Sequence, residues 1–404
     1  MQTIVGVGTG YVGLPAALMW AQAGHQTIGI DIDQNLVSAI NDRTLLLNES
    51  ELHELLSDPD VMQNLSARTD PCPGDVFVVA VPTPVDPIKK VADLSSITEA
   101  VEQICTVLEP GNLVIIESTV PPLACRTIIG PQIEQLTGLR VPQDVLLAHC
   151  PERILPGDVF QEIVHNDRLV GGLDEASTAA ATKVYLSFVK GALHPTSDLV
   201  AELSKLMENT YRDVNIALAN EMAHICETLG APTAEVLGFA NKHPRVNILQ
   251  PGIGVGGHCI PVDPWFLKEA APYDSRLIST ARLVNDEMPG RTAARIRRAV
   301  ADIAGPRIVA LGATYKRNCE DQRESPARKI VQLLREDGYH VRHLDPLVPE
   351  LRCATLEAEL EQADLVAVLV GHDELVTELQ RLRPRLPEIM RTERVVVYDS
   401  STAW

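Results

Sequence analysis

The stretch Gly8-Thr9-Gly10-Tyr11-Val12-Gly13 constrains this chain more than any other. It is a G-x-G-x-x-G run, and such a run carries weight only in context. Here residues 2–8 read as a short, apolar, buried parallel strand, and residues 11–23 read as a helix closed by Gly24. Asp31 ends the next predicted strand, 27–31, at 18 residues beyond Gly13. A strand, a glycine turn, a helix and an acidic strand end together form a dinucleotide fingerprint. Gly8 permits the tight turn, Gly10 lets backbone approach a pyrophosphate at the helix N-terminus, and Gly13 lets helix and sheet pack closely. Tyr11 and Val12 complete the turn. The Asp31 carboxylate suits an adenosine ribose and repels a 2′-phosphate, so NAD is expected as cofactor over NADP.

The pattern continues. Strands are expected at 75–81, 112–117, 145–149 and 168–172, with helices between them, which implies a doubly wound parallel sheet. Residues 199–229 contain no Pro or Gly and read as one helix, with Ser197 or Asp198 as N-cap and Gly230 just past its end. Such a helix is ~45 Å long at 1.5 Å per residue. Its many apolar positions suggest burial on several sides or a dimer interface. A loop-rich segment follows at 241–268, then a helix at 274–301. A second α/β region has strands expected near 307, at 339–344, 364–370 and 394–399, and a helix at 326–337. The fold class is therefore α/β: two Rossmann-like doubly wound domains joined by a long central helix and a helical region. The expected domains are 1–197, 198–302 and 303–404.

Bulk properties exclude other classes. With 404 residues and a net charge of −19, the chain is too long for one ordinary core and too acidic to favour nucleic acid or an anionic membrane. No run approaches the ~18–20 apolar residues of a membrane span. Met1-Gln2-Thr3 leads straight into a strand, so no secretory leader is expected and the chain is expected in the cytoplasm. The eight cysteines form no C-x-x-C pair, so zinc or thioredoxin-type sites are not expected, and no metal site is.

Several residues are candidates for chemistry. Thr83 (in Val81-Pro82-Thr83-Pro84) and Thr119 (in Glu117-Ser118-Thr119-Val120-Pro121-Pro122) follow strand ends, where open α/β sheets build their ligand crevice; strand-end turn chemistry explains them equally well. Glu152, in Pro151-Glu152-Arg153, is a candidate acid–base residue at the crevice lip, though a solvated surface Glu is the common alternative. Lys205 and Asn209 are four apart on the long helix and share a face, from which a cation and an amide can stabilise an oxyanion; an ordinary solvated helix face is the commoner alternative from spacing alone. Cys259 follows Gly254-Val255-Gly256-Gly257-His258, and Asp263 lies four residues on. The paired glycines allow close approach of backbone and ligand, and main-chain N–H groups there can lower the thiol pKa. A buried structural cysteine is the alternative. His258 is adjacent, and neighbouring side chains usually diverge, so no Cys–His pair is assigned.

Taken together, GTGYVGLP, VPTP, ESTVPP, PERILPG, ELSKLMENTYRDVNIALANE, GVGGHCIPVDPWF and GATYKRNCEDQRESP resemble, in order and spacing, the nucleotide-sugar 6-dehydrogenases. These are the UDP-glucose and UDP-N-acetylhexosamine dehydrogenases, and the likeness covers essentially the whole chain. The resemblance implies a four-electron oxidation of a sugar C6 alcohol, a homodimer through the long helix and a C-terminal UDP-binding domain. It also implies roles. Cys259 forms a thiohemiacetal and then a thioester, while Lys205 and Asn209 stabilise oxyanions. Asp263 supports Lys205 or the hydrolytic water, Glu152 does acid–base work and Thr119 helps hold that water. Substrate contacts are implied for Arg153, Arg245, Lys316, Arg323 and the glycines 254, 256 and 257. Ile253-Gly254-Val255, Val262 and Pro156 depart from the UDP-glucose enzymes and point to a UDP-N-acetylhexosamine. Two rivals remain: a two-electron dehydrogenase with Lys205 catalytic and Cys259 structural, and a silent UDP-sugar or NAD sensor.

Overall fold

Short β-branched runs bounded by Gly, Pro or Asp form strands covered on both faces, and this organises the computed structural model, which describes residues 1–44, 50–154, 158–392 and 394–398. Contacts divide the chain into two compact units. The first comprises Met1–Glu208 with Trp265–Ala270, the second Asn209–Pro264 with Ala271–Trp404.

In the first unit β1 (Thr3–Val7), β2 (Gln26–Ile30), β3 (Leu65–Arg68), β4 (Val76–Val79), β5 (Leu113–Ile116), β6 (Leu146–His149), β7 (Arg168–Gly172) and β8 (Leu193–Ser197) form one sheet. Its order is β3-β2-β1-β4-β5-β6-β7-β8. The first six strands are mutually parallel in the Rossmann order 3-2-1-4-5-6. The expectation of a parallel sheet fails at one junction: β7 pairs antiparallel to β6, and β8 follows β7 in parallel. The edge strands β3 and β8 were not expected from sequence. Alternation distributes side chains to the two faces: Ile4, Val76 and Val78 belong to one core, and Val5, Phe77 and Val79 to the other. The first helix, Gly13–Gln22, is buried at every position from Gly13 to Ala21. Burying a side chain the size of Leu or Met contributes roughly 1.5–3 kcal/mol, so this helix is firmly seated beside the glycine turn.

The long helix spans Asp198–Leu229, 32 residues, about 48 Å at 1.5 Å per residue. Gly230 takes φ +72, the left-handed conformation that ends a helix cheaply. In the second unit β9 (Arg307–Leu311), β10 (His340–Leu344), β11 (Leu365–Val368) and β12 (Arg394–Val397) form an all-parallel sheet of order β10-β9-β11-β12. Cores on its two faces are built around Ile308, Ala310, Leu365 and Ile330, and around Val309, Leu311, Val366 and Val368. The helix Arg276–Ala299 carries Pro289 in its interior. Asp399, expected within the last strand, lies outside the described residues.

Candidate active site

Parallel register aligns the C-terminal ends of β1, β2 and β4, since Val7 pairs with both Ile30 and Val79. The glycine turn is built at that edge. Gly8 has φ +90, and a Cβ there would sit 2.6 Å from the Ala80 carbonyl oxygen. A Cβ on Gly13 would meet the Gly8 oxygen at 1.9 Å, so strand end and helix start touch through backbone. Nothing lies within 4 Å of a Cβ on Gly10. The open face at Gly10, beside a helix N-terminus, is what a pyrophosphate requires, so the residues present fit NAD. Asp31 Oδ2 accepts from Thr9 N (2.8 Å) and Thr9 Oγ (3.0 Å), and Oδ1 accepts from Asp33 N (3.0 Å). The carboxylate is held at the strand end by the turn itself. Thr9 was missed in the sequence because it occupies a variable position of the fingerprint.

Thr83 and Thr119, both half-buried, follow β4 and β5 as expected. The hydroxyl between them in role is that of Ser118, which accepts from Val81 N (2.9 Å) and donates to Val81 O (2.7 Å). Ser118 thus ties the two loops together. Glu202, in the second turn of the long helix, accepts from Leu123 N (2.6 Å) and Cys125 N (3.1 Å), anchoring the segment after Thr119. It lies three residues before Lys205 on the same helix face.

Glu152 follows β6. Its Oε1 accepts from Arg153 N (2.7 Å), and its Oε2 accepts from Arg168 Nη2. Arg153 donates from Nη1 to Glu208 (2.8 Å) and from Nη2 to the Asp167 carbonyl, so its guanidinium braces this corner. His149, the last residue of β6, is fully buried, with neither ring nitrogen hydrogen-bonded among the described residues. Burial holds its pKa down to about 3, so the ring is neutral at ordinary pH. Lys205 is buried to 9% exposure on the long helix, an uncommon situation for a lysine.

In the second unit the thiol loop is clasped by its own chain. A Cβ on Gly256 would meet Glu324 O at 2.7 Å, Pro326 Cδ at 2.8 Å and Tyr315 Cβ at 2.8 Å. Gly257, at φ +84, lies against the Tyr315 ring, and its N–H donates to Arg323 O (3.1 Å). Gly256 and Gly257 admit the 315–326 segment to the thiol loop. Cys259 is exposed. Its carbonyl accepts from Val262 N (3.0 Å) and Asp263 N (2.9 Å), which turns the chain into the helix Asp263–Ala270. Asp263 is buried, and its Oδ2 accepts from Asn209 Nδ2 at 2.6 Å. Asp263 is expected to support Lys205 or a water; here it meets the Asn209 amide. His258 turns toward Asp321 (4.0 Å). Arg323 is ion-paired with the same Asp321 at 2.6 Å, while the Arg245 and Lys316 side chains are exposed. Pro156 lies outside the described residues. Among those described, no group of three or more His, Cys, Asp or Glu could hold a metal, and no helix is long and apolar enough to cross a membrane.

A complete dinucleotide turn, an exposed thiol and a buried amide–carboxylate pair are parts that fit an NAD-dependent oxidoreductase. The comparisons make the class specific. Residues 2–189, 199–287 and 309–403 match the NAD-binding, central and UDP-binding domains of the UDP-glucose/GDP-mannose dehydrogenase family. A UDP-N-acetyl-D-mannosamine dehydrogenase of Methanocaldococcus jannaschii is 43% identical over 91% of this chain and 85% of its own. An NDP-N-acetyl-D-galactosaminuronic acid dehydrogenase of Ralstonia nicotianae is 41% identical over 100% of this chain and 96% of its own. The solved UDP-D-ManNAc dehydrogenase of Pyrococcus horikoshii superposes with a TM-score of 0.92 at 37% identity, covering 98% of this chain and 95% of that one. The chain belongs to the UDP-glucose/GDP-mannose dehydrogenase family, with NAD as cofactor and a UDP-sugar as substrate.

Proposed function

We propose that the chain oxidises the C6 hydroxyl of UDP-N-acetyl-D-mannosamine to the uronate, through a thioester on Cys259. The observation that carries this reading is the exposed Cys259 on a loop anchored by the Asn209–Asp263 hydrogen bond, in a chain that also holds a complete dinucleotide turn. The turn at Gly8, Gly10 and Gly13 would hold NAD, which would supply the hydride acceptor for both oxidations. Overall, one alcohol, one water and two NAD+ give one carboxylate, two NADH and three protons. Cys259 Sγ adds to the C6 aldehyde, retaining it as a thiohemiacetal, which the second oxidation makes a thioester. Lys205 and Asn209 stabilise the oxyanions, with Asp263 orienting the Asn209 amide. Glu152 takes a proton from the water that attacks the thioester, Thr119 helps hold that water, and Sγ leaves as thiolate.

In this reading residues 1–197 hold NAD, 198–302 supply the thiol loop and dimer helix, and 303–404 bind UDP. Tyr11, Val12 and Thr83 line the cofactor. Arg153, Arg245, Lys316, Arg323, Gly254, Gly256 and Gly257 serve the substrate side. The N-acetylmannosamine assignment is supported by the relatives and by Ile253 and Val262 beside the loop. The Ralstonia relative makes another N-acetylhexosamine the second reading. NADH production with UDP-N-acetylmannosamine, UDP-N-acetylglucosamine and UDP-glucose side by side tests it. The first is expected to lead in kcat/KM by about tenfold or more, which takes about 1.4 kcal/mol of differential transition-state binding. Preference for UDP-glucose overturns the assignment.

The enzyme is further proposed to act in the cytoplasm as a homodimer through the long helix. Val200, Leu203, Met207, Tyr211 and Leu218 are exposed there at helical spacing. Leu203→Glu with Met207→Glu should yield a monomer in sedimentation; an unchanged mass refutes this interface.

A further inference from the structure

Behind Glu152 two carboxylates share one buried guanidinium. Arg168, the first residue of β7, is 3% exposed. It donates from Nη2 to Glu152 Oε2 and from Nη1 to Glu117 Oε1 (3.1 Å). Its guanidinium lies 4.4 Å from the centre of the Tyr185 ring, and the Tyr185 hydroxyl donates to the same Glu117 Oε1 (2.7 Å). Glu117 Oε2 is buried with no hydrogen-bond partner among the described residues. Three strand ends and a helix thus assemble a Tyr185–Glu117–Arg168–Glu152 chain. The thiol of Cys150 is the other titratable group against it, and Arg153 turns away to Glu208. Burial raises the Glu117 pKa and the Glu152 charge adds to this; the pull of Arg168 offsets them only in part, so the net shift is upward. Burial keeps Tyr185 and Cys150 neutral.

A guanidinium held at both arms is fixed in orientation, and so is the carboxylate it holds. We propose that Arg168 and Glu117 are positioning residues for Glu152: Arg168 orients the carboxylate that activates water, and Glu117 holds the other arm of the same guanidinium. This rests on the proposed role of Glu152. The guanidinium passes no proton.

Glu117→Gln puts a neutral amide on that arm in place of the carboxylate, so the guanidinium and Glu152 are held less firmly. The experiment compares Glu117→Gln, Tyr185→Phe and Glu152→Gln. Its readouts are kcat, KM and the amount of Cys259 acyl adduct in acid-quenched enzyme by mass spectrometry. Glu117→Gln should lower neutral kcat about tenfold, with KM little changed and acyl-enzyme accumulating. Tyr185→Phe keeps the ring under Arg168 and removes the donor to Glu117. It should act the same way by less, and it keeps the test alive if Glu117→Gln does not fold. If Glu152→Gln stalls as acyl-enzyme but neither other variant accumulates it, the positioning proposal fails alone. If Glu152→Gln hydrolyses the thioester normally, both readings fall.

Discussion

The two sheets carry the same turn and use it differently. Gly8 N donates to Ile30 O at 2.8 Å, and Gly312 N donates to Leu344 O at 2.8 Å. Their φ angles are +90 and +88. Asp31 accepts from Thr9 N and Asp33 N; Asp345 accepts from Ala313 N (2.6 Å) and Leu347 N (2.8 Å), at corresponding positions. β1 lies between β2 and β4, and β9 lies between β10 and β11. The difference begins beyond the glycine. After Gly8 the helix starts at Gly13; after Gly312 it starts only at Pro326. The first turn keeps a helix N-terminus beside it, open to an anion. The second sends the intervening segment to clasp the thiol loop, and its carboxylate is consumed internally. His372 Nδ1 accepts from Asn318 N (2.9 Å), so Nε2 carries the proton and donates to Asp345 Oδ2 (2.9 Å). The lesson is that one backbone device serves a cofactor where the helix follows at once, and supports a neighbouring loop where it does not.

That contrast is broken most severely by adding one methyl group to each side. Gly13→Ala drives a Cβ into the Gly8 carbonyl and should weaken NAD binding by about 100-fold or more in titration, because the helix start proposed to meet the pyrophosphate must move. Gly256→Ala forces the Tyr315–Pro326 segment off the thiol loop. It should lower kcat by about 100-fold, the cost of misplacing a reacting group by an ångström, with NAD binding within twofold of wild type. Equal loss of NAD binding in both variants would erase the distinction.

A milder change sharpens it. Asp31→Asn removes the strand-end charge proposed to meet the adenosine ribose and should reduce the preference for NAD over NADP by about tenfold. Asp345→Asn should leave that preference unchanged, and steady-state kinetics with both cofactors decides.

The smallest effect is one of pH. Burial raises the Asp345 pKa, but hydrogen bonds from His372 and Ala313 N outweigh it and the net shift is downward. A carboxyl with a lowered folded pKa contributes stability above its unfolded value, about 3.9, and that stability is lost as pH falls through the folded value. Asp345→Asn should therefore flatten the acid side of the stability curve below about pH 4 and cost about 1–3 kcal/mol at neutral pH through its lost charged hydrogen bonds. Urea melts between pH 3 and 7 measure both.

Much of this was readable in the sequence because local chemistry carries it. The first turn announces itself by three glycines and an aspartate. The long helix announces itself by an uninterrupted run of helix formers ending at Gly230. The second turn was hidden because only Gly312 survives of the fingerprint. The edge strands β3 and β8 are four and five residues long, and β8 contains Pro195, so neither carries a strong period. The reversed direction of β7 depends on tertiary pairing, which no local pattern records. The Arg168 cluster was equally silent: its partners Glu117 and Tyr185 lie 51 residues before it and on a separate helix, and buried ion pairs leave no spacing signal. For Cys259 the sequence carried the candidate, and the structure added its clasp and the Asn209–Asp263 anchor.

The central claim is a four-electron oxidation held on Cys259, and counting NADH against UDP-N-acetylmannosamine consumed tests it most directly. Wild-type enzyme should release two NADH per sugar, and Cys259→Ser should lose most turnover and yield at most one. One NADH per sugar from wild type, or full turnover with serine at 259, would contradict the account.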